Sequence, residues 1–90
     1  MPEVNVTVIN PLGLHARAAA QLVKLANCFK SSIIIARPDR STIANGRSIL
    51  AVLTLSASMG SELVIEVVGE DADLALKAVE DLFKNGFGEI

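Results

Sequence analysis

The single histidine of the chain, His15, lies in the run Asn10-Pro11-Leu12-Gly13-Leu14-His15-Ala16-Arg17. Pro11 and Gly13 break regular structure, and the Ala- and Leu-rich stretch that follows favours helix. His15 is therefore expected where a loop becomes a helix. A helix N-terminus offers unpaired N–H groups and a partial positive charge, a setting that favours an anion such as phosphate. The same field disfavours imidazolium and favours neutral imidazole, a usable nucleophile. Arg17 carries a guanidinium fork suited to phosphoryl oxygens. Gly13 is expected to let a phosphoryl donor approach closely. Together these residues form a phosphoryl-acceptor constellation. Each also has a plainer alternative: a histidine that merely starts a helix, and an arginine that is a solvated surface charge.

Ser48 follows Asn45-Gly46-Arg47 and opens the apolar run Ile49 to Leu55. As an N-cap its hydroxyl would accept a backbone N–H, worth about 1 kcal/mol. As a regulatory phosphorylation site it would add negative charge to the surface. Ile49, Leu50, Val52, Leu53 and Leu55 are too many apolar residues for one buried face of a short helix. Leu50 is the first candidate for exposure, and an exposed apolar patch there would serve docking. Cys28 is expected as a small core residue. One His and one Cys make a poor transition-metal site. The glycines form neither a dinucleotide fingerprint nor a P-loop, and the acidic residues show no calcium-loop pattern. No metal and no cofactor is expected.

The elements that must position these residues follow from periodicity. Val4, Val6 and Val8 alternate with Asn5 and Thr7, giving a half-buried strand. A helix is predicted from about His15 to about Asn27. Leu22, Val23, Leu25 and Ala26 should face inward, and Arg17, Gln21 and Lys24 should share the polar face. Ile33-Ile34-Ile35 predicts a second strand, Pro38-Asp39 a turn, and Ser41 to Ala44 a short third strand. Ser48 to Leu55 fits either a helix capped by Ser48 or a strand after an Asn45-Gly46 hairpin turn; helix is favoured. Leu63, Ile65 and Val67 mark a fourth strand ending at Gly69. The last helix is capped by Asp71 and carries Asp73 in its first turn. Its buried stripe is Ala72, Ala75, Leu76, Val79, Leu82 and Phe83, and Gly86 stops it. The order is β-α-β-β-α-β-α in one domain, residues 1–90. One antiparallel sheet with helices on one face is the natural packing.

Composition narrows the classes. The 90 residues are 51% hydrophobic but only 3% aromatic, so the core must be Val, Ile, Leu and Ala. A formal net charge of −2 argues against general nucleic-acid binding. No apolar stretch is long enough to span a bilayer, and Met1-Pro2-Glu3-Val4 does not read as the start of a signal peptide. A single cysteine fits a reducing cytosol, so a cytoplasmic domain is expected.

The segment Asn10 to Ala19 closely resembles the phosphorylation-site signature of the HPr family, the histidine-containing phosphocarrier proteins. Asn45-Gly46-Arg47-Ser48-Ile49-Leu50 resembles that family's regulatory-serine segment, and Phe87-Gly88-Glu89 its C-terminal ending. The resemblance covers essentially the whole chain. It implies an α+β open-faced β-sandwich, with a four-stranded antiparallel sheet and three helices on one face. It implies that enzyme I, charged by phosphoenolpyruvate, phosphorylates Nδ1 of His15, and that the phosphoryl group passes to EIIA domains in sugar uptake. Arg17 and helix N–H groups would hold the phosphate. The implied partner surface is Leu14, Gln21, Lys24, Arg47, Ile49, Leu50 and Leu53. If Ser48 is regulatory, an HPr kinase/phosphorylase is a further partner. The implied protein is a carrier rather than a standalone turnover enzyme, and a monomer, because one face must meet successive partners. The Arg37-Pro38-Asp39-Arg40 hairpin and Ala51 depart from commoner relatives. A nitrogen-control branch would share the His15 chemistry; a non-covalent binding module would leave the His15–Arg17 block unexplained.

Overall fold

Alternation in the first residues produces strand β1 (Glu3–Thr7), in which Val6 is buried while Glu3, Asn5 and Thr7 face solvent. Helix α1 (Ala16–Ala26), strands β2 (Ser32–Ala36) and β3 (Ile43–Asn45), helix α2 (Ile49–Leu53), strand β4 (Glu62–Val68) and helix α3 (Ala72–Lys84) follow, with a 3-10 turn at Gly86–Gly88. This computed structural model describes residues 2–89. Met1 and Ile90, which the 1–90 domain span and the leader reading include, lie outside the described residues.

The strands form one antiparallel sheet in the order β1-β4-β2-β3. Register brings Val6 opposite Leu63 and Val4 opposite Ile65, and then Ile35 opposite Ile65 and Ala44. These side chains make the inner face, and all three helices contribute buried residues to the same core: Ala18, Ala19 and Leu22 from α1, Val52 from α2, Ala75, Val79 and Phe83 from α3. The open-faced sandwich is thus present, with three helices against one side of the sheet. Period-2 alternation is weak in β4, where Val64 is buried as well as Leu63 and Ile65. It is a central strand, paired on both edges.

Several expectations need correction. The third strand is shifted toward Asn45, because Ser41 belongs to the hairpin turn: its N–H donates to Asp39 Oδ1 at 2.9 Å. Of the two alternatives for Ser48 to Leu55, the favoured helix is the one present, and Asn45-Gly46 makes no hairpin. Asn45 Oδ1 accepts the Arg47 N–H at 2.9 Å, and the bend leads into α2. Val23 and Leu25 are only half-buried, whereas Leu22 and Ala26 are fully inside. Cys28 is exposed rather than in the core, because α1 ends at Ala26 and the chain turns outward with the Cys28 N–H on Leu25 O.

Asp71 precedes α3 as expected but does not cap it by its side chain. Its carboxylate instead accepts from the Lys30 N–H at 2.9 Å, the Ser31 N–H at 3.0 Å and the Ser31 hydroxyl. It staples the connection between α1 and β2 to the start of α3. The Ser31 hydroxyl bond, followed by the Lys30 backbone bond, holds the Asp71 pKa below its ordinary value. A depressed carboxylate stabilises the fold above its unfolded pKa, and that contribution is lost as pH falls through the folded value. Asp71→Asn should therefore lower Tm at pH 7. Its melting curve should converge on that of the wild type only once the pH has fallen below the depressed folded-state pKa, where both side chains are neutral. A constant gap across pH in thermal melts would show that charge is not the cause.

Candidate functional site

His15 is the N-cap of α1. Its backbone is extended (φ −79°, ψ −179°), and its Nδ1 accepts the Arg17 backbone N–H at 3.3 Å. The other ring nitrogen, Nε2, lies 2.5 Å from Glu89 Oε2. The hydrogen-bond network thereby assigns the ring proton: Nε2–H donates to the carboxylate, and Nδ1 keeps its lone pair toward the helix N-terminus. The His15 side chain is 25% exposed and that of Glu89 10%.

Glu89 was not singled out from the sequence, because an acidic residue near a chain end has no periodicity to mark it. Packing delivers it. Phe87 adopts φ +56° and is buried against Phe83, with ring centroids 5.0 Å apart in an edge-to-face arrangement. Its carbonyl accepts from Gln21 Nε2 at 3.2 Å. The chain after α3 is thereby folded back over the start of α1. Arg17 Nη2 and Nε reach the same Glu89 Oε2 at 3.2 and 3.4 Å. Glu89 Oε1 accepts from Asn10 Nδ2 at 2.9 Å. The Asn10 bond, and then the bonds from His15 and Arg17, pull the Glu89 pKa below its ordinary value, so the carboxylate is ionised at neutral pH. An open cleft of about 480 Å³ runs between Pro11–Leu12 and Phe87–Glu89, with Arg17 and Gln21 on its wall.

Gly13 has a different task from the one expected of it. It is buried with φ +66°, and a Cβ there would sit 2.6 Å from Ala57 O. Its close neighbour is the chain's own backbone, not an incoming donor. Leu14 is also corrected: it is 5% exposed, its N–H bonds to Ala57 O at 2.8 Å, and it belongs to the core rather than to a contact surface. The unusual hairpin supports this segment indirectly. Arg37 Nη2 donates to Leu55 O at 2.6 Å and to Ser56 O at 3.2 Å, fixing the residues just before Ala57.

Ser48 caps α2, its Oγ accepting the Ala51 N–H at 3.2 Å. Leu50 is 79% exposed and Ile49 40%, while Leu53 is half-buried against the core. Lys24 is exposed. Arg47 is exposed, but its guanidinium donates to Ala26 O and Phe29 O, so it also ties the start of α2 to the end of α1. Among the described residues no cluster of His, Cys, Asp and Glu could hold a metal ion, and no helix is long and apolar enough to cross a membrane.

The chain is similar to known proteins along nearly all of its length. A family model described as the PTS HPr component phosphorylation site matches residues 2–85. The phosphocarrier protein HPr of Pseudomonas aeruginosa is 42% identical over 99% of this chain and 98% of its own length. That of Treponema pallidum is 45% identical over 93% of each chain. The crystal structure of HPr-C-His from Thermoanaerobacter tengcongensis superposes with a TM-score of 0.92 at 36% identity, covering 100% of this chain and 99% of that one.

Proposed function

Because the chain belongs to the HPr family of phosphocarrier proteins of the phosphotransferase system, we propose that it takes a phosphoryl group from phosphorylated enzyme I on His15 Nδ1 and passes it to EIIA domains in sugar uptake. The observation that carries this reading is the pair of contacts on the ring, Glu89 Oε2 at Nε2 and the Arg17 backbone N–H at Nδ1. Nε2–H is committed to Glu89, and Nδ1 is presented at the N-terminus of an 11-residue helix. As the bond between phosphorus and its donor breaks, the Nδ1 lone pair forms the new N–P bond. The Arg17 N–H that occupied Nδ1 is released to a phosphoryl oxygen. The Arg17 side chain, 67% exposed and bonded to the same Glu89 oxygen as the ring, takes another. One arginine and backbone donors hold the group loosely, as a reversible relay requires; most of the positioning comes from the partner proteins. The protein acts as a monomeric cytoplasmic carrier and undergoes no turnover of its own. The test is intact-protein mass spectrometry after incubation with phosphoenolpyruvate and enzyme I. One acid-labile phosphoryl group is expected; no mass gain, with an enzyme I active on another carrier, overturns the reading.

Ile49, Leu50 and Leu53, flanked by Gln21, Lys24 and Arg47, serve as the docking surface. Leu50, 79% exposed, and Ile49, 40% exposed, support this. Ser48 lies at its edge, and phosphorylation there by an HPr kinase/phosphorylase places charge on the docking face. Ser48→Asp keeps an N-cap and adds one negative charge, so it should lower kcat/KM for phosphorylation by enzyme I about tenfold. Ser48→Asn keeps the cap without the charge and should behave as wild type. Raising salt should narrow the Asp deficit. Equal rates for all three proteins would exclude a regulatory role for charge at this position.

A further inference from the structure

We propose that Asn10 is a positioning residue for phosphoryl transfer, its buried amide fixing Glu89 so that His15 presents Nδ1 to the incoming phosphorus. The inference rests on the carrier reading above and names how the ring is held.

Asn10 is fully buried, and its side chain is half-satisfied in an informative way. Nδ2 donates both to Gly13 O at 2.8 Å and to Glu89 Oε1 at 2.9 Å, while Oδ1 is buried with no partner among the described residues. An orphaned buried acceptor is destabilising and has to be offset by what the rest of the group does. Turning the amide over would not relieve it, because Oδ1 would then face a carbonyl and a carboxylate. The observed orientation is therefore set by the need for a donor at these two oxygens. The Gly13 bond is local, between residues three apart. The Glu89 bond joins opposite ends of the chain, 79 residues apart.

That second bond sets the chemistry. With Oε1 held by Asn10, Oε2 is left for Nε2–H of His15 and for Arg17. The ring plane and its tautomer are thereby defined before a donor arrives. When Nδ1 attacks phosphorus, positive charge develops on the imidazole. The ionised carboxylate at Nε2 stabilises that charge and can share the Nε2 proton, so no other base is required. The functional unit is Asn10–Glu89–His15, a buried amide orienting a carboxylate that orients the nucleophile.

The test compares wild type, Glu89→Ala, Asn10→Ala and the double variant as phosphoryl acceptors from enzyme I. It also records the downfield imidazole Nε2–H proton resonance of each unphosphorylated protein. Glu89→Ala should lower kcat on the order of tenfold with little change in KM, and Asn10→Ala about fivefold. The double variant should be no slower than Glu89→Ala alone. The hydrogen-bonded Nε2–H resonance should be present in wild type and lost in both single variants, a change that a purely structural role would not produce. Asn10→Ser guards against misfolding of the alanine variant. It keeps a polar side chain but is too short to replace the Nδ2 donor to Glu89, and it should show the same kcat loss. Wild-type rates in Glu89→Ala, or an Asn10→Ala loss that persists in full on the Glu89→Ala background, would overturn the inference and leave the carrier reading standing. A wild type that accepts no phosphoryl group would remove both.

Discussion

A His15→Asn variant should fold as the wild type does and accept no phosphoryl group from enzyme I. The two halves of this expectation come from different roles of one residue. His15 is structurally an N-cap, its Nδ1 accepting the Arg17 N–H. Asparagine is among the preferred N-cap residues, whereas alanine at such a position costs about 1 kcal/mol. The substitution also leaves Glu89 its bonds to Asn10 and Arg17. Chemically, an amide nitrogen has no free lone pair and cannot attack phosphorus. Thermal melts should agree within a few degrees, while mass spectrometry after incubation with phosphoenolpyruvate and enzyme I shows one added phosphoryl group in wild type and none in the variant. A variant that still gains the group would place the nucleophile elsewhere. A variant that loses it only because it unfolds would show so in the melt. The non-covalent binding module makes the opposite prediction, because it requires nothing of Nδ1.

How far the site was legible in the sequence depends on how local each contact is. The arrangement of His15 and Arg17 follows from a helix start, which Pro11, Gly13 and the Ala-rich run mark unmistakably. Ser48 as a cap and Leu50 as an exposed residue follow from the same local reasoning. Glu89 and Asn10 were missed as site residues because their significance exists only once the ends of the chain meet. Nothing in the composition near Glu89 separates it from a solvated charge. Phe87 carries a physical hint: a large apolar residue beyond the helix stop at Gly86 has to be buried somewhere. Asp71 illustrates the same limit within the fold. Its position before α3 was readable, but its carboxylate is used by Lys30 and Ser31 across the structure. Cys28 and Leu14 were misplaced in opposite directions. Each lies just beyond a helix end, where the 3.6-residue period no longer says which way a side chain points.

These long-range contacts converge on the segment before His15. Asn10 O accepts the Gly13 N–H at 3.0 Å, and Asn10 Nδ2 donates to Gly13 O. Leu14 is pinned to Ala57, and Ala57 follows two carbonyls fixed by Arg37. His15 therefore stands on a turn held from the sheet hairpin, from the end of α2 and from the C-terminal turn. A relay that uses Nδ1 rather than Nε2 needs a defined ring orientation, and this turn helps to set it.

Gly13→Ala tests how much depends on that turn. The position requires φ +66°, a left-handed conformation that costs an L-residue about 1–2 kcal/mol. The added Cβ would lie 2.6 Å from Ala57 O and 3.0 Å from Ser58 Cα. Both are backbone atoms, so no side-chain rotation relieves the contact. The turn must instead separate from the Ala57–Ser58 segment, stretching the Leu14 N–H bond to Ala57 O and drawing Leu14 out of the core. The sum is expected at about 2–3 kcal/mol of destabilisation, lowering Tm by about 10–20 °C for a domain of this size. Function should fall with it even at temperatures where the variant is fully folded. Shifting Gly13 O displaces the Asn10 amide, and with it Glu89 and the His15 ring. Phosphorylation by enzyme I should therefore slow mainly in kcat. Calorimetry, amide hydrogen exchange at Leu14 and acceptor kinetics check the three parts separately. A faster-exchanging Leu14 amide with an unchanged kcat would show that the turn stabilises the fold without setting the geometry of His15. An unchanged Tm would mean that the backbone yields at Ala57 far more readily than its contacts imply.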